Sequence, residues 1–312
     1  MILITGGTGF VGRQLVGRLL DEGIQFRLLL SSRSAVDRLP EGDYETVTAD
    51  IEDPDALQPA LKDVHTIVHL IGTEARGRHH RLWEVDVPGT KALIEAAQRA
   101  RAGRIIVLSR PGASTASAYT VKQAKGEIEE AVRRSGLAYT IFRVNVLFGE
   151  GDRFSEHIAM LARVFPVYFL PGDGETVLEP LWVNDLVTCL AIALEDLDLI
   201  DRVMDLGGPE VLTYRRIVLR VMQAVGTRRP LLSLPYLIVR FGGWFLDGLF
   251  ARWPFTEMWA DLLAANQTTE AGNIERHFGF RPAAFDIGLI DKYLNRRGYL
   301  WQFIRYIFTT RW

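Results

Sequence analysis

The chain has 312 residues, 48% hydrophobic and 24% charged, with a formal net charge of −2. That length supplies an ample core, and the charge balance gives no positive field of the kind that collects nucleic acid. One cysteine, Cys189, excludes an internal disulfide or a cysteine metal cluster and reads as a small buried apolar residue.

The chain opens MILITGG, a strand running into a glycine turn. With no positively charged leader or cleavage site, it is expected to fold from its first residue inside the cell. Short apolar or β-branched runs follow at Phe26–Leu30, Thr46–Ala49, Thr66–Leu70, Arg104–Ser109 and Tyr139–Val144, after the first at Ile2–Thr5. Amphipathic stretches at Val11–Asp21, His80–Arg101 and Ala118–Ser135 lie between several of them. Near-continuous apolar strands alternating with helices imply a parallel sheet covered on both faces, wound by right-handed crossovers. The expected fold class is α/β with a doubly wound parallel sheet, and a ligand belongs at the carboxyl ends of its strands.

At the first such end stands TGGTGFVG, residues 5–12. Gly6, Gly9 and Gly12 permit a tight turn, a close approach of backbone to a pyrophosphate, and close helix–sheet packing. A glycine triplet alone is only a tight turn; the strand before it and the helix after it point to a dinucleotide. The second strand runs into Ser31, Ser32 and Arg33, with no acid before Asp37. An NAD site places an acid there for the ribose 2′-hydroxyl, so two hydroxyls and a guanidinium favour NADP(H) over NAD(H). A solvated Arg33 is the plainer alternative.

TGGTGFVG, ADIED, VHLIG, VDVPGTKALIEAA and FRVNVLFGEGDRF together resemble the atypical short-chain dehydrogenase/reductase superfamily, NAD(P)-binding and epimerase/dehydratase-like. IVHLIGTEARGRHH, LPGDGETVLEPLWVNDL, MDLGGPEVLTYRRI and GNIERHFGFRP are similar to the branch that includes the dehydrogenase-like accessory subunit of respiratory complex I. The resemblance spans about residues 1 to 290 and implies a Rossmann domain with a smaller C-terminal substrate lobe. It implies that Gly6, Thr8, Gly9, Phe10 and Val11 cradle the pyrophosphate, Asp50 and Ile51 face the adenine, and Ile71 and Gly72 line the path toward the nicotinamide ribose. Ser109 closes the fifth strand, where active relatives keep a substrate-orienting hydroxyl; a strand-end or capping hydroxyl is the other reading.

In active relatives a tyrosine and a lysine lie four apart on one helix face. The ammonium lowers the phenol pKa from about 10 and grips the nicotinamide ribose. In AYTVKQAKG the residue four after Tyr119 is Gln123, and no tyrosine of this chain has lysine four residues on. Gln123 can hydrogen-bond ribose hydroxyls but supplies no charge. Lys122 is rotated by about 100° from that position and Lys125 lies two residues beyond it; both are expected at the surface, with a bend of Lys122 across to the site as the alternative. Tyr119 and Ser109 are thus catalytic candidates in a site expected to bind its nucleotide with weak or absent hydride chemistry.

The expected division is a dinucleotide domain over 1–150, a mixed region over 151–291 with returning sheet elements at about 178–207, and a tail over 292–312. Asn184–Glu195 reads as a helix and Val203–Gly207 as the returning strand. Arg153, Phe154 and Trp182 can face a substrate, with packing the better reading of each. The histidines, at 65, 69, 79, 80, 157 and 277, show no metal spacing. Leu231–Phe250 is the least polar stretch, but Arg240 and Asp247 make it a poor membrane span. The tail from Lys292 to Trp312 has five basic residues, seven aromatics and no acid. On a helix it places Leu300, Ile304, Ile307 and Phe308 on one face and Gln302, Arg305 and Thr309 opposite, a pattern suited to an anionic membrane surface or a membrane-complex subunit. Docking on the chain's own core is the competing reading. Two functions remain in view: an accessory or regulatory component of a membrane electron-transfer assembly, on the inner face of the membrane, and an NADPH-dependent reductase or epimerase of a lipophilic molecule.

Overall fold

The computed structural model describes residues 1–73, 82–250, 252–294 and 298–308, without the side chains of Arg33, Asp247, Glu257 and Met258. His79 and His80, the arginines at 296, 297 and 311, and Thr309 therefore lie outside the described residues. The chain divides into two units, the first holding Met1–Thr73, 82–144 and Val183–Leu206, the second 145–182 and 207–308.

The first unit is built on β1 (Ile2–Thr5), β2 (Phe26–Leu30), β3 (Glu45–Thr48), β4 (Thr66–His69), β5 (Arg104–Ser109), β6 (Ala138–Val144) and the returning β11 (Arg202–Leu206). They form one parallel sheet in the order β3-β2-β1-β4-β5-β6-β11. The order reverses beside β1, which opens a crevice at the carboxyl ends of β1 and β4. Flanking helices are α1 (Phe10–Asp21), α2 (Gln58–Leu61), α3 (Val87–Arg99), α4 (Thr120–Arg134) and α6 (Val183–Glu195). Leu3, Ile67, Ile105 and Ile141 from neighbouring strands, with Leu93, Ala97 and Val132 from α3 and α4, form a continuous core. Burial of such side chains, about 25 cal/mol per Å² of apolar surface, is what fixes helices to sheet. Arg27, buried within β2, bonds the carbonyls of Ala60 and Lys62 and the Glu45 carboxylate.

The helix expected over His80–Arg101 begins as α-helix only at Val87, preceded by a π turn at Leu82–Asp86. Pro88 explains the boundary: its ring fits only the first turn of an α-helix. The first unit's opening run ends at Val144 with β6, where the chain passes into the second unit before returning at Val183.

The second unit contains β7 (Leu147–Phe148) paired with β10 (Leu181–Trp182), β8 (Tyr168–Pro171) with β13 (Leu231–Leu234), and β9 (Val177–Leu178) with β12 (Leu212–Thr213). Its helices are α5 (Ser155–Val164), α7 (Tyr214–Ala224), α8 (Tyr236–Leu249), α9 (Glu257–Leu263), α10 (Asn273–Phe278), α11 (Ile287–Leu294) and α12 (Tyr299–Phe308). Phe148, Phe285, Leu170, Ile217 and Val221 lie at its centre. Asp152, in the FGEGDRF motif, accepts from the amides of Gly149, Phe154, Ser155 and Glu156 and so anchors the start of α5.

Candidate functional site

The glycine turn after β1 is shaped by backbone contacts. Gly6 has φ +77°, and a Cβ there would lie 2.8 Å from the carbonyl carbon of Leu70. A Cβ on Gly12 would lie 2.3 Å from the Gly6 oxygen and 2.6 Å from Gly7 Cα, so neither glycine can be replaced without moving main chain. The Gly6 carbonyl accepts the Gly9 amide at 2.9 Å, and Gly9 caps α1 with extended backbone. No side chain caps α1 and no acid stands in its first turn, so its leading amides are left for an anion. Thr8, Phe10 and Val11 around the turn are half-buried and Gly9 is exposed. This cradle fits a pyrophosphate.

At the end of β2, Ser31 and Ser32 are exposed, and the Ser32 hydroxyl lies 3.1 Å from that of Ser34. Arg33 opens a short 3₁₀ turn, Arg33–Arg38; its side chain lies outside the described residues. Asp50 is exposed and accepts the Glu52 amide at 3.0 Å, while Ile51 packs against Gly89 of α3.

Beyond β4 the carboxyl edge is held by a polar chain that sequence reasoning missed. Thr90 donates to the Asp86 carbonyl at 2.6 Å. Its oxygen therefore accepts from His69 Nε2 at 3.0 Å, and His69 Nδ1 accepts from the Thr5 hydroxyl at 2.7 Å. Burial, and then the Lys125 ammonium, lower the His69 pKa to about 3, so the ring is neutral. The buried Asp86 carboxylate receives the Thr73 amide at 2.9 and 3.1 Å. That bond fixes the chain just after Ile71 and Gly72. The legible signal was the acid directly before the proline-started helix, in VDVPGT.

At the end of β5, Ser109 is buried and donates to Glu129 of α4 at 2.6 Å. Glu129 also takes a two-pronged contact from Arg143 of β6, at 2.7 and 2.8 Å, and one from Arg133 at 3.1 Å. The hydrogen bond to Glu129 raises the Arg143 pKa against the opposing effect of burial. The Ser109 hydroxyl thus belongs to a structural cluster.

Tyr119 is the N-cap of α4, with extended backbone (φ −94°, ψ 121°), and its carbonyl accepts the Gln123 amide at 2.9 Å. Its side chain leaves the helix from a flanking residue, so ideal-helix angles do not place it. Gln123 is half-buried. The two lysines depart from the expected surface positions. Lys122 is half-buried with its ammonium 5.5 Å from the Tyr119 ring centroid, a cation–π contact, and burial lowers its pKa. Lys125 is only 5% exposed, and its Nζ lies 3.8 Å from where a Cβ on Gly72 would sit. It makes no hydrogen bond or ion pair to any described residue. It sits inward because it shares the apolar stripe of α4 with Val121, Ala124, Ile128 and Val132. At Gly126 a Cβ would fall 2.3 Å from the Ser114 carbonyl carbon, so α4 and the 114–115 backbone approach closely here.

In the second unit, Phe154 is buried against Trp259 and Tyr214, and Trp182 packs on Phe148 and Tyr293. Both are packing residues; Arg153 lines the small aromatic pocket that includes Phe154. The tail helix α12 divides differently from the expected faces. Ile307 turns inward with Phe303 onto Met160, while Leu300, Trp301, Ile304 and Phe308 are exposed. Apolar residues lie nearly all around this helix, so spacing alone did not define its buried face. α8 likewise exposes Leu237, Ile238, Phe241, Trp244, Phe245 and Leu249, and Phe250 at its end meets Phe308 edge-on at 6.2 Å. No helix among the described residues is long and apolar enough to cross a membrane.

Residues 6–158 match the model of an NAD(P)H-binding family. Over 143 residues the chain is 34% identical to the photosystem II assembly factor Ycf39 of Cyanophora paradoxa, covering 46% of this chain and 44% of that protein. The chain thus spans under half of that relative. Over 314 residues it is 25% identical to subunit 9 of the NADH dehydrogenase (ubiquinone) 1 alpha subcomplex of Rattus norvegicus, covering 96% of this chain and 81% of that protein. The NADPH-dependent quinone oxidoreductase QOR2 of Escherichia coli, solved with NADPH, superposes with a TM-score of 0.75 at 19% identity, covering 93% of this chain and 98% of that one.

Proposed function

Because the chain belongs to the atypical, epimerase-like part of the NAD(P)-binding short-chain dehydrogenase/reductase superfamily, we propose that it holds NADP(H) with little or no hydride transfer and serves a membrane electron-transfer assembly as an accessory or regulatory component. The observation that carries the reading is the state of the β5–α4 edge. The Ser109 hydroxyl is spent on Glu129, and the residue four after Tyr119 is Gln123. The glycine turn after β1 keeps the close backbone turn and the uncapped helix start that suit a pyrophosphate. Relatives named as an NADH dehydrogenase (ubiquinone) subunit and a photosystem II assembly factor support an accessory role.

A turnover assay with NADPH and panels of quinones and carbonyls is expected to show at most slow oxidation. Robust oxidation that Tyr119→Phe abolishes would overturn the proposal. Gln123→Lys restores a lysine four after the tyrosine and is expected to raise any turnover.

Ser31 and Ser32, free of any acid at the end of β2, support NADP(H) over NAD(H). Titration should give NADPH the tighter constant by several-fold, and the opposite order would reverse the assignment.

The exposed apolar faces of α8 and α12, joined at Phe250 and Phe308, support docking on a membrane surface or a membrane-embedded subunit. The five basic residues and absent acids of 292–312 add attraction to anionic lipid. Sedimentation with anionic liposomes is expected to fall when Trp301 and Phe308 are replaced by serine. Both side chains are exposed, so the fold should survive the change.

A further inference from the structure

A helix at a protein surface ordinarily turns its apolar stripe to the core and its polar side to water. α8 does the reverse. Leu237, Ile238, Phe241, Trp244, Phe245 and Leu249 recur at helical spacing, and each is more than half exposed. The inward side carries the polar groups: the Tyr236 hydroxyl donates to Asp261 of α9 at 2.7 Å, and Arg240 pairs with the same buried carboxylate at 3.1 Å. Gly243, one turn further along that side, is buried. These contacts fix the rotation of α8, so its apolar stripe stands outward before any partner arrives. The stripe runs on to a second helix: Phe250 meets Phe308 of α12, and the Arg252 amide donates to the Ile307 carbonyl at 3.4 Å. Charge is segregated in the same place. Residues 228–256 and 292–312 hold nine of the chain's 36 basic residues and one of its 38 acids, a net charge of +8 against −10 for the remainder. Four of the seven tryptophans lie in these two stretches, and tryptophan favours the boundary between water and lipid.

Resting on the membrane reading above, we propose that α8 is a preformed anchor lying in the surface of an anionic lipid bilayer, its apolar stripe among the acyl chains and the arginines of the two stretches at the lipid phosphates. With 14 residues α8 is about 21 Å long, shorter than the roughly 30 Å of hydrocarbon a span must cross, so it enters flat. A second copy of this chain is a poorer occupant, because it would set +8 against +8. An apolar protein face would cover the stripe and leave the basic residues without counter-charge; anionic lipid supplies both in one surface. α12 is the lesser contributor, since its Phe303 and Ile307 are already turned inward onto Met160.

The test uses the whole chain with vesicles of phosphatidylcholine alone and of an equal mixture with phosphatidylglycerol. Wild type is expected to partition at least about tenfold more strongly onto the mixed vesicles, and to be released as salt is raised. Phe241→Ser combined with Phe245→Ser should weaken that partitioning by at least about tenfold, and by more than Trp301→Ser combined with Phe308→Ser. The urea midpoint of either double variant should match wild type, because all four side chains are exposed. Vesicles with brominated acyl chains should quench tryptophan emission, and Trp244→Phe, which keeps the stripe apolar, should lose part of that quenching. Equal partitioning by wild type and the α8 double variant overturns the proposal, as does equal binding to both kinds of vesicle or quenching that Trp244→Phe leaves unchanged. Loss confined to the tail variant overturns it too and leaves the membrane reading in place. A wild-type chain that ignores vesicles but binds crude membranes until they are treated with protease docks on a protein subunit, which overturns the lipid proposal alone. Binding to neither vesicles nor membranes sinks both.

Discussion

The carboxyl ends of β1 and β5 lie on the same edge of the same sheet, yet they are made of different material. The turn after β1 is backbone: three glycines, a positive φ, and uncapped amides at the start of α1. The end of β5 is side chain: Ser109 and Arg143 each bound to Glu129, with Lys122, Gln123 and Lys125 on the helix above. A backbone site is conserved in shape by what cannot be added to it. A side-chain site can exchange partners while the strands and helix stay where they are.

The largest test of this contrast is Glu129→Ala. It leaves the partly exposed Arg143 and the buried Ser109 without their common acceptor, a loss on the scale of a hydrogen bond to a charged group, about 1.5–3 kcal/mol. A urea melt should show that loss, and a change near zero would mean that the cluster does not hold α4 to the sheet. Next is Gly12→Ala, whose methyl meets main chain at 2.3 Å. Overpacking of this kind costs about 1–3 kcal/mol, and NADPH affinity should fall with it. Full binding by Gly12→Ala would show that the turn tolerates a side chain and would weaken the comparison.

The pH profile gives a smaller, graded effect. Burial holds the folded-state pKa of His69 at about 3, below its unfolded value of 6.5. The neutral ring therefore contributes stability that is complete above pH 6.5 and is lost as the pH falls toward 3, at about 1.4 kcal/mol per pH unit. His157, in the second unit, is lowered to about 3 by burial and Arg153 and acts with the same sign. His69→Gln should flatten its share of the acid slope in unfolding measured between pH 7 and 5. The smallest expected effect is that of Tyr119→Phe, which should alter stability by no more than about 0.5 kcal/mol and leave NADPH affinity unchanged. A marked loss of binding would move Tyr119 from the chemistry to the nucleotide grip.

These differences also explain what could be read beforehand. The strands, their parallel order and the glycine turn follow from local patterns, because an apolar run or a glycine carries its meaning in its own few residues. The fate of Lys125 depended on which face of α4 meets the sheet. Its place four residues after Val121 and three before Ile128 did mark the inward stripe, but a lysine there reads as surface charge until the packing is known. Ser109 and Glu129, twenty residues apart, meet only through the fold. In the tail, Phe303 faces inward because Phe165 and Trp253 offer it rings to pack on, a fact carried by other segments.

The Glu129 cluster has one more consequence. A carboxylate gripped by a serine on β5 and an arginine on β6, and bonded to an arginine on its own helix, fixes the rotation of α4 about its axis. Turning or sliding the helix to re-aim positions 119 to 125 would break that cluster, so substitutions there exchange one side chain at a time on a helix that stays in place.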